Sequence, residues 1–304
     1  MPNTWTHILF ADQLCEDLGR EDILKTSSTV LHMGAQGPDP FFYHNFLPFL
    51  PNKKVPEIGR ILHTEKCGPF LLDMIERGKT AKNTLQVYIL GFLSHHILDR
   101  HTHPYIHYHA GYVAHKHQEL EVIIDTILLK RERNQHSWKT PVHKEIKIGK
   151  EIVPITSLLE SLLRVHFPTI HEKYKTKDIY HSFLHMQAAQ RVLYDPWKWK
   201  NVWFHSLVSP FSHQPIVEHR DFLNEDRLEW NHPATFEKRN ESFLDLYEFA
   251  IDEGRTLFQN TFDYWESSDI SLLSEIQKDV ANISYDTGEP LETSLRNQYS
   301  SPIV

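Results

Sequence analysis

The sequence predicts an all-α protein, a multi-helix bundle with room for one small β-hairpin insertion near residues 143–153. Three observations carry this. Apolar residues recur at helical spacing through most of the chain. One segment, residues 80–103, is apolar nearly all round from Leu85 to Leu93, as the central helix of a bundle must be. Only "HKEIKIGKEIVP", around Gly149, alternates with the period of a strand.

The elements follow in chain order. Residues 4–18 carry an apolar stripe of Ile8, Leu9, Ala11, Leu14 and Leu18, and Gly19 follows as a stop. Residues 33–56 are broken by glycine and proline and read as loop. Short helices are expected at 57–65 and 69–77, then the central helix at 80–103, then another at 114–131. Beyond the alternating segment, helices are expected at 155–166, 177–193, 235–265 and 269–283. The tail from Tyr285 is polar and expected at the periphery. No internal repeat or low-complexity segment is visible. Residues 1–131 read as a metal-binding helical core, and 132–304 as further helices of the same domain.

Bulk properties narrow the function classes. The chain has 304 residues, 40% hydrophobic and 24% charged, with a net charge of −8. An acidic balance disfavours nucleic acid, which needs a basic footprint. Two cysteines, Cys15 and Cys67, form no paired motif, which disfavours a cysteine zinc site or a disulfide framework. No secretory leader and no apolar run of about 20 residues is present, so no transmembrane segment and a cytoplasmic address are expected. No obligate protein partner is evident.

The chemistry concentrates in "GFLSHHILDRHTHPYIHYHAGYVAHKHQELE", where eight histidines lie between His95 and His117. Positions four apart on a helix lie nearly one above another, about 6 Å along the axis. His95 and Asp99 therefore share one face, and His117 and Glu121 repeat the pair on the next helix. Two facing helices with such pairs can build a multi-metal site in a bundle core. His103 continues the Asp99 line; Pro104 disfavours a helical residue before it, so the helix is expected to end there. Gly91, one step earlier on the line, would leave room for a metal or a substrate. Imidazole and carboxylate suit zinc, with iron or manganese as alternatives. A single such pair is often a surface ion pair. Two pairs, the first continuing an apolar helix, favour a ligand set, because a buried charge needs a partner. His96, His101, His107, His109 and His115 lack a partner at matching spacing and read as exposed or supporting, with His107 the competitor of His103.

"LSHHILDRHTHPYI" followed by "HKHQELEVIID" resembles the zinc-dependent phospholipase C family, whose fold is shared with fungal-type single-strand nucleases. "TWTHILFADQL", "GAQGPDPFF" and "GRILH" resemble its upstream motifs in the same order, and "LNEDRLEWNHP" is similar to a segment of bacterial relatives. The resemblance implies an all-α fold with two or three zinc ions at the bottom of a cleft. It implies Asp39, His63 and His95 on the first ion, with Asp99 bridging. It places His103, His117 and Glu121 on the second, and His7 and Asp99 on a third. Two departures stand out. Trp5 is internal here, whereas the family's third zinc takes the amine of an N-terminal tryptophan. His103 falls two residues earlier than the family's histidine, and His107 two later. Taken alone, His7 also reads as a core histidine, Asp39 as a turn residue and His63 as a helix-end residue.

Together these features predict a zinc-dependent phosphoester hydrolase, a phospholipase C- or nuclease-like phosphodiesterase using metal-activated water, with Asp39 doubling as base. The substrate expected is a small phosphoester or a phospholipid. Phe41 and Phe42, with Tyr43, Phe46 and Phe49 beyond them, are candidates for substrate contact or for bundle packing. A di-iron carboxylate protein would want Glu-x-x-His pairs on two helices, where this chain has His-x-x-x-Glu and His-x-x-x-Asp, and a His-Asp phosphohydrolase would need an adjacent His-Asp, which does not occur. The remaining alternative is a non-catalytic metal-binding structural or sensing protein of the same fold.

Overall fold

The structure is a computed structural model that describes residues 3–47, 50, 55–113, 115–197, 199, 209–217, 220–267 and 269–304. Its α-helices, in chain order, are α1 (Thr4–Asp17), α2 (Glu21–Gly34), α3 (Pro56–Thr64), α4 (Cys67–Gly78), α5 (Asn83–Ala110) and α6 (Lys116–Arg133). They are followed by α7 (Ile152–His166), α8 (Pro168–His171), α9 (Thr176–Leu193), α10 (Phe243–Glu266) and α11 (Ser271–Val280). A 3₁₀ turn at Asp39–Tyr43 follows α2. No helix among the described residues is long and apolar enough to cross a membrane.

The 28-residue α5 is the axis of the bundle. It is buried without a break from Val87 to Arg100, and α1, α2, α4, α6, α7 and α10 pack around it. A helix apolar all round has no face to give to water, so it takes the centre. α2 approaches it most closely. A methyl group on Gly91 would lie 2.3 Å from the Leu31 carbonyl oxygen, and one on Gly34 would lie 2.3 Å from that of Tyr88. Gly91 therefore serves helix packing, not space for a metal or substrate. We expect Gly91→Ala to force the two helices apart and cost about 1–3 kcal/mol, read as a lower denaturant midpoint.

Pro104 does not end α5. The helix runs six residues beyond it. The proline leaves the Arg100 carbonyl without its usual helical donor. Gly288 packs closely against that oxygen, where a Cβ would fall only 2.3 Å away, while its own N–H donates to the Ser284 carbonyl. Gly288 also has φ +66°, a left-handed conformation suited to glycine. The Tyr285 segment is correspondingly not peripheral: Tyr285 is 1% exposed and packs against the histidines of α5.

Three further differences have local causes. α2 lies in residues to which the sequence assigned no element; in the run Thr26–Ser27–Ser28–Thr29, which favours competing side-chain bonds, Thr26 Oγ1 donates to the Asp22 carbonyl and Ser27 is kinked. Among the described residues the small hairpin pairs Trp230–Asn231 with Lys238–Arg239 instead of lying near 143–153. In the latter region Val142–Lys144 forms a 3₁₀ turn, Ile146 and Ile148 are buried without a partner strand, and α7 begins at Ile152. The hairpin also delays α10, which starts at a Ser242–Asp245 capping box instead of residue 235.

Candidate metal centre

Five separate segments bring their side chains to one place. Asp39 stands at the start of its 3₁₀ turn and His63 on the last turn of α3. His95, Asp99 and His103 line one face of α5, His117 and Glu121 one face of α6, and His7 points in from α1. α1 is itself anchored from α6. Buried Asp125 accepts from the Trp5 and Thr6 backbone amides at 3.0 and 2.8 Å and from Thr6 Oγ1 at 2.6 Å. A carboxylate at a helix N-terminus satisfies its free amides and fixes the register that places His7.

Three imidazoles are held by the same device. His63 Nδ1 donates to the Gly59 carbonyl at 2.7 Å, His95 Nδ1 to Ala35 at 2.9 Å and His103 Nδ1 to Tyr285 at 2.9 Å. Carbonyls only accept, so each Nδ1 carries the proton and each Nε2 offers a lone pair. All three Nε2 atoms are buried without a hydrogen-bond partner, as are both oxygens of Asp99 and Oδ1 of Asp39. They converge: Asp99 lies 3.1 Å from His95 Nε2, 3.4 Å from His103 Nε2, 3.4 Å from His7 Nε2 and 3.8 Å from His63 Nε2. Asp39 Oδ1 lies 3.5 Å from His63 Nε2 and 3.7 Å from His95 Nε2. His117 Nε2 and Glu121 Oε1 are 2.6 Å apart.

Buried lone pairs aimed at buried carboxylates are costly unless a cation stands between them. The ligand atoms form compact groups, each within 4.8 Å: His7, His95 and Asp99; Asp39, His63 and His95; His103, His117 and Glu121. Nitrogen and carboxylate donors in such threes fit zinc. Protonation agrees with this. Burial holds His7, His103 and His117 below the ordinary imidazole range, in the neutral form that ligates. Against the cost of burial, His103 and His95 hold the Asp99 carboxyl well below the usual carboxylate range. Burial pushes Glu121 up to about 8. His63 goes the other way; burial opposes, but Asp39 raises it.

The groups sit at the floor of a cleft of about 1110 Å³. Asp39, His63, His103, His117 and Glu121 face it, while His7, His95 and Asp99 are sealed behind them. Phe42 also lines the cleft, its ring 5.6 Å from that of His63, as do Tyr43 and Phe46. Phe41 is fully buried in the bundle core, away from the cleft wall. Phe49 lies outside the described residues.

Among the supporting histidines, His96 Nε2 is bonded to the Ile283 carbonyl and His101 Nε2 lies 2.5 Å from Glu253. His107 has no backbone tether and both its ring nitrogens are unpartnered; it groups with His103 and Asp286. We expect His103→Ala to lower metal affinity at least tenfold more than His107→Ala, by titration with a chromogenic chelator, because only His103 is aimed by a backbone carbonyl. Sequence reasoning did not include Tyr285 and Asp286. They stand more than 180 residues from His103, beyond any periodic signal.

Trp5 supplies no amine here: its backbone amide is committed to Asp125, and its side chain is 1% exposed. His7 Nε2 lies 3.4 Å from Asp99.

Comparison of the chain with curated proteins and with solved structures gave no match. The family model described as zinc dependent phospholipase C matches residues 6–176, more than half the chain and every ligand candidate named above. The chain belongs to the zinc-dependent phospholipase C family, whose members are metal-dependent hydrolases of phosphoester bonds.

Proposed function

We propose that the protein hydrolyses a phosphodiester, with His7, Asp39, His63, His95, Asp99, His103, His117 and Glu121 holding two or three zinc ions. The observation that carries this reading is the set of Nδ1-tethered imidazoles whose free Nε2 atoms surround Asp99 beside an open cleft. A closed structural site would have no need of that opening.

Bound zinc would supply Lewis-acid polarisation of a phosphoryl oxygen and a water activated near neutral pH. The residues do the rest. His63, His95 and His103 keep their donors aimed because backbone carbonyls lock the rings. Asp99, fully buried and ionised, sets the negative charge around which the ligands gather. Asp39 and Glu121 are the carboxylate ligand candidates that face the cleft; with Oδ1 of Asp39 on the side of His63 and His95, its second oxygen can accept the proton of the attacking water. Phe42, beside His63, forms the cleft wall that meets the substrate.

The test is a metal count on untagged protein followed by assay of generic phosphodiesters and phosphomonoesters. Two or three zinc ions per chain and diesterase activity lost to chelator and restored by zinc are the expected results. Iron or manganese restoring more activity than zinc would reassign the metal. A zinc-loaded protein inert to every phosphoester would instead favour a structural or sensing role for the same site.

A further inference from the structure

We propose that Arg60 selects substrates whose polar headgroup carries an anion of its own, such as a carboxylate or a second phosphate, in addition to the scissile phosphoester. The inference rests on the hydrolase reading above and names the substrate class of that site.

Arg60 is the only lysine or arginine lining the cleft among the described residues. It sits on α3 three residues before His63, so the two side chains leave the same face of the helix about one turn apart. His63 is buried at the floor and Arg60 is exposed. The guanidinium therefore stands outward of the metal ligands, where the part of a substrate beyond the scissile phosphate would emerge.

Its nearest acid on the helix is not its partner. Glu57, one turn back, accepts from Tyr174 at 3.1 Å and lies 3.9 Å from Lys173. Arg60 makes no ion pair among the described residues, in a protein whose net charge is −8. An acidic chain that leaves an exposed arginine unpaired beside its site has a cation to offer a ligand. Lining surfaces from other elements are of another kind. α9 presents Met186, Val192 and Leu193, and Phe211 adds an aromatic ring. These, with Phe42 beside α3, take the apolar part of a substrate, which leaves the guanidinium of Arg60 for its polar head.

The other charges in the cleft do not reverse this. Asp39 and Glu121 belong to the ligand groups. Asp286 lies 3.7 Å from His103 Nδ1 and groups with His103 and His107, and it follows Tyr285, whose amide donates to the His63 carbonyl, so it stands at the floor beside the ligands, inward of Arg60. A headgroup bearing a quaternary ammonium would place its charge against the guanidinium of Arg60.

Three phosphomonoesters test the proposal as product analogues: phosphoglycolate (an added anion), ethyl phosphate (no added charge) and phosphocholine (an added cation). Binding to zinc-loaded full-length protein is measured by calorimetry. The expected order is phosphoglycolate, then ethyl phosphate, then phosphocholine, with about a fivefold step, the scale of one exposed ion pair. Arg60→Ala should remove the advantage of phosphoglycolate, and Arg60→Glu should invert the order, with zinc content unchanged. Equal affinities in the unaltered protein would overturn the proposal. So would an Arg60→Glu variant that loses phosphoglycolate and ethyl phosphate alike, since Arg60 would then serve the scissile phosphate. If none of the three binds and no diester is cleaved, the hydrolase reading fails and the proposal with it.

Discussion

Asp99→Asn is expected to empty the metal centre while leaving the helices in place. The change keeps the shape of the side chain and removes its charge. That charge is the common neighbour of four imidazole Nε2 atoms, from His7, His63, His95 and His103, at 3.1 to 3.8 Å. Without it the donors still converge, but the sealed end of the centre loses the carboxylate shared by the four imidazoles, and Asp39 and Glu121 remain only at the cleft side. Zinc retained after dialysis should fall to a small fraction of the unaltered value. Diesterase activity should fall by roughly 10³ or more, since Lewis-acid stabilisation is worth several kcal/mol. Far-ultraviolet circular dichroism should be little changed. A variant that keeps its full zinc complement would remove Asp99 from the ligand set, and with it the link between the groups.

Chelation of the intact protein should have the second-largest effect, a fall in melting temperature on the order of 10 °C, because ions that bind only the folded chain stabilise it by mass action. The metal-free form should also become acid-sensitive. Burial holds His103 and His117 well below the ordinary imidazole value, and holds His109 and His232 at about 4. In the unfolded chain these groups take up protons near pH 6.5. The unfolded state therefore binds more protons below that pH, and stability drops as pH falls from about 6.5 towards 4. Two groups oppose this. His63, raised in the fold, contributes stability below about 6.5 that is lost as pH rises through its folded value. Glu121, pushed up to about 8, favours the fold least once pH has risen from the ordinary carboxylate range to 8. The depressed imidazoles outnumber them, so the net slope is towards acid loss. Glu121 has a further consequence. Zinc must displace its proton, so apparent affinity should strengthen as pH rises to about 8 and then level off. Thermal melts and zinc titrations across pH 4 to 9 check both statements; an affinity that is flat between pH 6 and 8 would exclude Glu121 as a ligand.

The two helix-borne pairs were legible because they are local. His95 with Asp99, and His117 with Glu121, need only the 3.6-residue turn to share a face, and a run as apolar as 85–93 can go only to the centre of a bundle. Asp39, His63 and His7 carry no such period, and only the order of short motifs pointed to them. Other elements were hidden for physical reasons. Pro104 reads as a helix end, yet α5 runs on to Ala110, with the freed Arg100 carbonyl packed against the distant Gly288. The alternation around Gly149 reads as strand, yet burial of Ile146 and Ile148 satisfies it without pairing.

From the sequence alone came the helical class, the central helix and the residue types that can grip a divalent cation, since each depends on contacts within a few residues. Tertiary structure alone decided which nitrogen of each ring faces inward and which side of the residue cluster opens to a cleft. Those depend on carbonyls of Ala35, Gly59 and Tyr285 and on walls from α3 and α9. Hydrogen bonds between segments far apart in the chain leave no period in it, and only the folded packing aims them.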